Sequence, residues 1–249
     1  MNLDSISIII PLYNERDYIG NLLKCLDPLA DKCEIIFVDG SSTDETTALI
    51  TMWIEGYCEN HPQKRKSDLP LSQPILLTAP ERGRANQMNF GASRSMGKIL
   101  WFLHADSIIP SNSLDLIRDV IGNKIEFGCF KIKFDSTHPI MIFNSIMSNL
   151  RVQTRKIAFG DQGIFISRRL FDKIGGFDNV PLMEDYKISE KVRDSEQPLG
   201  VAKGVILTSE RRYLVRGRLK TMLWMQQLQR RYRAGEYLET LAKEYRENK

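Results

Sequence analysis

Four short apolar runs alternate with helical patterns over residues 5–106, and that alternation leaves few folds open. The runs cover residues 5–10, 34–38, 75–78 and 99–103. Each has the length and β-favouring composition of a strand covered on both faces. The intervening segments read as helices over 16–29, 45–53 and 85–96, the first with an apolar stripe of Ile19, Leu22, Leu23 and Leu26. Strands that alternate with helices in this way predict a parallel sheet layered by helices. Pro11 is expected to stop the first strand, because it lacks the N–H a ladder needs.

Ligands of open α/β sheets bind where strands end at their carboxyl edge, and the polar residues of this chain gather there. After the second strand comes Asp39-Gly40-Ser41-Ser42-Thr43-Asp44, a glycine for an unusual turn followed by side chains suited to helix capping. After the fourth comes His104-Ala105-Asp106. Side chains two apart lie on one side of an extended backbone, so His104 and Asp106 can approach one divalent cation. A carboxylate there can equally do no more than cap the turn before Pro110.

The second half differs in kind. Residues 126–134 and 163–166 read as strands, and 139–150 is rich in Ile, Met and Phe. Such a stretch is expected in the core or facing a partner rather than as a membrane anchor. Residues 203–233 hold nine Lys or Arg against one Glu, within a chain whose net charge is only +4. That cluster points to an anionic partner and is expected to close over a diphosphate or to meet an anionic membrane. The Lys64-Arg65-Lys66 triplet, in a polar connection over 59–73, reads as solvated surface and no nucleic-acid role is assigned. Scattered cysteines (Cys25, Cys33, Cys58, Cys129) read as reduced thiols. The start of the chain, with Asn2 and Asp4, has no basic leader. No run approaches the ~18 apolar residues of a membrane span. A cytoplasmic protein, at most peripheral at the inner face of a membrane, is expected.

Five motifs in order carry a family resemblance: Ile9-Ile10-Pro11-Leu12-Tyr13-Asn14-Glu15, Val38 to Asp44, Gly83 with Asn89 and Gly91, Phe102 to Asp106, and Gly175-Gly176-Phe177 with Glu184-Asp185. The set resembles family 2 glycosyltransferases of the GT-A fold. The variants His104-Ala105-Asp106 and Gly160-Asp161-Gln162-Gly163 are similar to a bacterial subgroup described as arsenosugar-biosynthesis-type or selenodomain-associated. The resemblance implies an α/β, Rossmann-like nucleotide-diphospho-sugar transferase fold with a mostly parallel sheet. It implies a transferase domain over 1–202 (nucleotide half 1–106, acceptor half 107–202) and a basic helical extension over 203–249.

It also implies roles. Pro11, Tyr13, Glu15, Asp39, Arg82, Arg84, Asn89, Ala105 and Asp106 would surround the nucleotide of a UDP- or GDP-sugar. Tyr13 has a face for the base, Asp39 an acceptor for base or ribose, and Arg82 or Arg84 a guanidinium for the diphosphate. Asp44 is expected to cap a helix. Asp106 would hold Mn²⁺ or Mg²⁺, and His104, where the family usually has Asp, either joins it or faces the sugar. Asp185 matches the general base, with Glu184 orienting it or positioning the acceptor. One base with no enzyme nucleophile implies inversion at the anomeric carbon. Asp161 and Gln162 fall on the acceptor side, for an acceptor that is either small and polar or lipid-linked. Two other readings compete: a nucleotidyltransferase that forms sugar nucleotides, which would want a Gly-rich loop and a Lys, and a non-catalytic nucleotide-binding protein of the same fold.

Overall fold

The computed structural model describes residues 5–61, 73–123 and 125–247. The Lys64-Arg65-Lys66 triplet, Asn2 and Asp4 lie outside them. Four parallel strands come first: β1 (Ile6–Leu12), β2 (Glu34–Asp39), β3 (Ile75–Thr78) and β4 (Ile99–Phe102). The later strands are β5 (Ser107–Ile108), β6 (Phe127–Phe134), β7 (Phe165–Ser167) and β8 (Leu199–Thr208). All eight join one sheet in the order β3-β2-β1-β4-β7-β6-β8-β5. β7 runs antiparallel to β4 and β6, and β5 antiparallel to β8.

Alternation along β1 sorts its side chains between two cores. Ile6, Ile8, Ile10 and Leu12 pack with Ile19, Leu22 and Leu26 of helix α1 (Arg16–Leu26), while Ile9 faces Met88 and Ala92 on the other side. A short 3₁₀ turn, Asp27–Leu29, extends α1 to the expected length. Helix α2 (Thr46–Asn60) runs seven residues past the expected end at 53. Helix α3 (Arg84–Arg94) lies so close to the sheet that a Cβ on Gly91 would stand 2.6 Å from Ile9 Cγ2. The close approach requires a glycine.

Two expectations are corrected. β1 does not stop at Pro11 but continues to Leu12, with Pro11 opposite Val38. Ile9 is bonded toward β4 through Leu103, so Pro11, two residues on, faces the same way. β4 has ended by then, and the missing N–H leaves no gap in the ladder. The second correction is β8, a strand that the sequence pattern does not announce. The domain boundary expected at 202/203 falls inside it, and Lys203 and Gly204 break its apolar pattern. Those two residues form an irregularity in β8, since the consecutive Phe130 and Lys131 of β6 face Ala202 and Val205 across it.

Helix α4 (Ser113–Gly122) covers β6 and β8, and α5 (Pro139–Arg155) crosses the end of β6. The Asn149 side chain fastens α5 there, bonding both the N–H (2.9 Å) and the carbonyl (3.0 Å) of Ile132. Helices α6 (Arg168–Lys173) and α7 (Glu184–Asp194) follow, then α8 (Arg211–Arg216), α9 (Arg218–Arg233) and α10 (Leu238–Glu247). The last two pack on α7 through a small core of Ile157, Met183, Tyr186, Leu228 and Leu241. Among the described residues no helix is long and apolar enough to cross a membrane.

Candidate active site

The loops after β1 and β2 are joined by side-chain hydrogen bonds. Asn14 Oδ1 accepts from the Thr43 N–H (2.8 Å), Ser42 Oγ from the Asn14 N–H (3.0 Å), and Thr46 Oγ1 from the Glu15 N–H (2.8 Å). Asp44 caps two helices at once, accepting from the N–H groups of Thr46 and Arg16. Gln87, on α3, belongs to none of the sequence motifs. Its buried Nε2 donates to the carbonyls of Leu12 and Val38, both at 2.7 Å, and so ties the two strand ends together. Asp39 is buried, its carboxylate receiving the N–H (3.0 Å) and hydroxyl (2.5 Å) of Ser42. Tyr13 is 37 % exposed and Arg82 lies over its ring, 4.5 Å from the centroid.

Beyond β4, His104 and Asp106 reach a cavity of about 120 Å³ that also takes in Arg84, Asp161, Glu184 and Asp185. Burial and the nearby Arg84, Arg212 and Arg211 push the His104 imidazole well below its usual pKa, so it is neutral at pH 7. Its Nε2 has no hydrogen-bond partner and is covered by Gly160, where a Cβ would stand 2.5 Å away. Asp106 faces Arg211, whose Nε lies 3.4 Å from its Oδ2. The same guanidinium pairs with Glu15 and covers the Tyr18 ring. Ala105 is buried in the core beneath these loops.

The acidic pair opens α7. Met183 takes a left-handed φ of 65°, costly for a residue with a side chain, and the helix starts directly after it. Glu184 is buried and pairs with Arg84 (Oε1 to Nη1, 2.9 Å). Asp185 Oδ2 accepts the Gly160 N–H at 2.9 Å. Burial, then the adjacent charge of Glu184, pushes the Asp185 carboxyl up to about 6, against 3.8 for a free one. Asp161 is raised as well, chiefly by burial, and its Oδ1 is buried without a partner.

Two expected site residues serve as braces instead. Asn89 clamps the backbone of Phe177, donating to its carbonyl (2.8 Å) and accepting from its N–H (3.0 Å), and does not line the cavity. Gln162, fully buried, accepts from the Phe159 N–H (3.1 Å) and Arg151 Nη2 (3.0 Å), so it holds the Gly160 turn rather than the acceptor wall. The remaining wall comes from Phe134, Phe159 and Thr208 and from the C-terminal helices, including Arg212, Met225 and Tyr245. Among the described residues no three His, Cys, Asp or Glu side chains converge as a metal site.

Residues 7–159 match the sequence profile described as Glycosyl transferase family 2. The chain belongs to this family. Among its relatives, Abequosyltransferase RfbV of Salmonella typhimurium is 26% identical over 179 residues, which make up 69% of this chain and 49% of RfbV. An uncharacterized glycosyltransferase of Haemophilus influenzae is 29% identical over 116 residues, 46% of this chain and 41% of its own. The chain spans about half the length of the curated relatives it matches. Solved glycosyltransferases share the fold. Staphylococcus aureus TarS (residues 1–349), in complex with UDP-GlcNAc, superposes with a TM-score of 0.62 at 17% identity, covering 83% of this chain and 58% of TarS. The mannosyltransferase PcManGT of Pyrobaculum calidifontis, in complex with GDP-Man and Mn²⁺, gives 0.58 at 21% identity, covering 81% and 56%. The expected GT-A fold is borne out.

Proposed function

We propose that this family 2 glycosyltransferase is metal-dependent and inverting, and moves a sugar from a UDP- or GDP-sugar to an acceptor hydroxyl. One observation carries the reading: Asp185 is a carboxylate whose pKa is raised to about 6, in the same cavity as Asp106. A general base works best with a pKa near the working pH. It takes the proton from the acceptor oxygen as that oxygen attacks the anomeric carbon in line, and the nucleoside diphosphate leaves from the opposite face. Glu184, locked to Arg84, keeps Asp185 elevated and oriented.

A divalent ion suits Asp106, since a cationic group already lies against it and such ions take one or two carboxylates with phosphates completing the shell. Held there, it would stabilise the charge developing on the leaving diphosphate. Asp106 alone supports the assignment, because the His104 Nε2 lies under Gly160. Tyr13 and Asp39 are assigned to the base and ribose, and Arg82 to the diphosphate, Arg84 being engaged by Glu184. The arsenosugar-type subgroup is retained as a proposal on the two motif variants, which meet at His104 and Gly160. Free cysteines, three of them buried, support a reducing compartment.

The test is release of nucleoside diphosphate from UDP- and GDP-sugars with Mn²⁺ or Mg²⁺, with the product's anomeric configuration read by NMR. Turnover that survives EDTA unchanged removes the metal, a retained configuration removes the single-base mechanism, and a donor range limited to nucleoside triphosphates removes the transferase reading.

A further inference from the structure

We propose that the outer face of α5, with the grooves on either side of it, docks on an anionic phospholipid bilayer. The inner stripe of α5, with Met141, Ser145 and Val152, is buried against the sheet. The outer stripe is apolar and open: Ile142 is 46% exposed, Phe143 51%, Ile146 59%, Met147 40% and Leu150 45%. Positions 142, 143, 146, 147 and 150 form one continuous helical face. A contiguous exposed patch of large apolar side chains marks an interaction surface.

Charge selects the partner. The groove between α5 and the edge of β6, about 260 Å³, has Lys131 and Lys133 as the charged residues of its wall. The groove between α5 and α9, about 390 Å³, has the exposed Arg155, Arg230 and Arg233, while Arg151 beneath them turns inward to Gln162 and Phe159. Among the described residues no Asp or Glu lines either groove. An apolar stripe flanked on both sides by basic side chains matches the acyl boundary and the phosphates of an anionic leaflet. A second copy on a two-fold axis would set these basic flanks against one another, which is unfavourable. The α5–α9 groove shares Met225 and Gln229 with the cavity, so the docked face lies on the side where an acceptor would approach. That last relation rests on the proposed function; the docking does not.

The sequence places residues 139–150 in the core or against a partner, in preference to a membrane. The structure buries one stripe and leaves the other free, which moves the preference. Amphipathic helices lie in the interface without spanning it, in keeping with the absence of a spanning helix among the described residues.

Sedimentation of the full chain with vesicles tests this. Binding is expected to a mixture of phosphatidylcholine and phosphatidylglycerol, weakened by salt, and to be weak with phosphatidylcholine alone. The double variant Phe143→Ser/Ile146→Ser should lower the vesicle-bound fraction about tenfold or more. Lys131→Gln/Lys133→Gln should reduce salt-sensitive binding, and should do so even if the first variant proves unstable by thermal melting. Both should keep nucleotide binding. Failure of the wild type to pellet with the mixed vesicles overturns the proposal. So does undiminished pelleting of both variants. A wild-type dimer in sedimentation velocity that the serine variant converts to monomer assigns the stripe to a second copy instead.

Discussion

Arg211 grips Glu15 through one hydrogen bond, Nη2 to Oε1 at 2.8 Å, and an ion-pair contact, Nη1 to Oε2 at 2.7 Å, although the residues stand 196 apart in sequence. The same side chain presents Nε to Asp106. A single guanidinium from the C-terminal helices thus spans the loop after β1 and the acid after β4. Arg211→Ala should tighten Mn²⁺ binding in the absence of nucleotide, because the ion no longer competes with a cation for Asp106. Loss of a long ion-pair contact worth about 1 kcal/mol or less corresponds to a gain of about fivefold at most. Turnover should fall, since the closure over the donor is lost. Calorimetry with Mn²⁺ alone and a kcat measurement separate the two effects; weaker metal binding would remove the competition.

Asp106→Ala should abolish the divalent-ion dependence of nucleotide binding and leave the fold intact. The carboxylate is 12% exposed on the cavity wall, its contact with Arg211 is long, and Arg211 keeps Glu15. Loss of such a pair changes stability by about 1 kcal/mol or less. Titration of UDP and GDP with and without EDTA, beside a thermal melt, checks both statements.

Asp185 ties rate and stability to pH in opposite senses. As the base it must be ionised, so kcat should rise through pH 6 and level off above it. Between the unfolded value of 3.8 and the folded value of about 6, the native state holds the extra proton. Stability from this group is therefore present at low pH and is lost as pH climbs through 6. Asp185→Asn should lower kcat by about 10²–10⁴ with little change in nucleotide affinity. It should also raise the melting temperature at pH 8 more than at pH 4. Glu184→Gln removes the neighbouring charge that helps hold Asp185 up, so it should cost less activity and move the pH–rate midpoint toward acid. If Asp185→Asn stays active, Asp161, with its unpartnered buried oxygen in the same cavity, is the next base to test.

Gln87→Ala should destabilise the protein by about 1–3 kcal/mol, because two buried hydrogen bonds are lost, although the Leu12 carbonyl keeps the Gly40 N–H at 2.8 Å. Urea unfolding measures it. Nucleotide affinity should fall as well, since the strand ends that carry Tyr13 and Asp39 are no longer tied together.

The half of the chain built from local pattern is legible in its residues alone. β1 to β4 are apolar runs with sharp ends, and Asp39 and Asp106 stand at those ends because the sheet is parallel. What escapes such reading is long-range. Asn89 and Gln162 sit inside informative motifs, yet their amides are taken up by Phe177 and by Phe159 and Arg151. Nothing local to Gln87 announces that two carbonyls, 75 and 49 residues away, need its amide. Nor does the basic composition of 203–233 reveal that Arg211 reaches Asp106 and Glu15, while Arg230 and Arg233 line the adjoining groove between α5 and α9.

The contact between Gly160 and the His104 ring has a consequence for descent. A side chain at 160 would collide with the imidazole, with a Cβ 2.5 Å from Nε2, while the Gly160 N–H must stay in place to serve Asp185. The backbone therefore cannot retreat to make room. A relative with the shorter aspartate at the position of His104 would be free to carry a side chain at 160, and one with histidine would not. Two motifs 56 residues apart should accordingly be gained and lost as a pair across the lineage, and a graft of one without the other into a sister enzyme should fail where a graft of both succeeds.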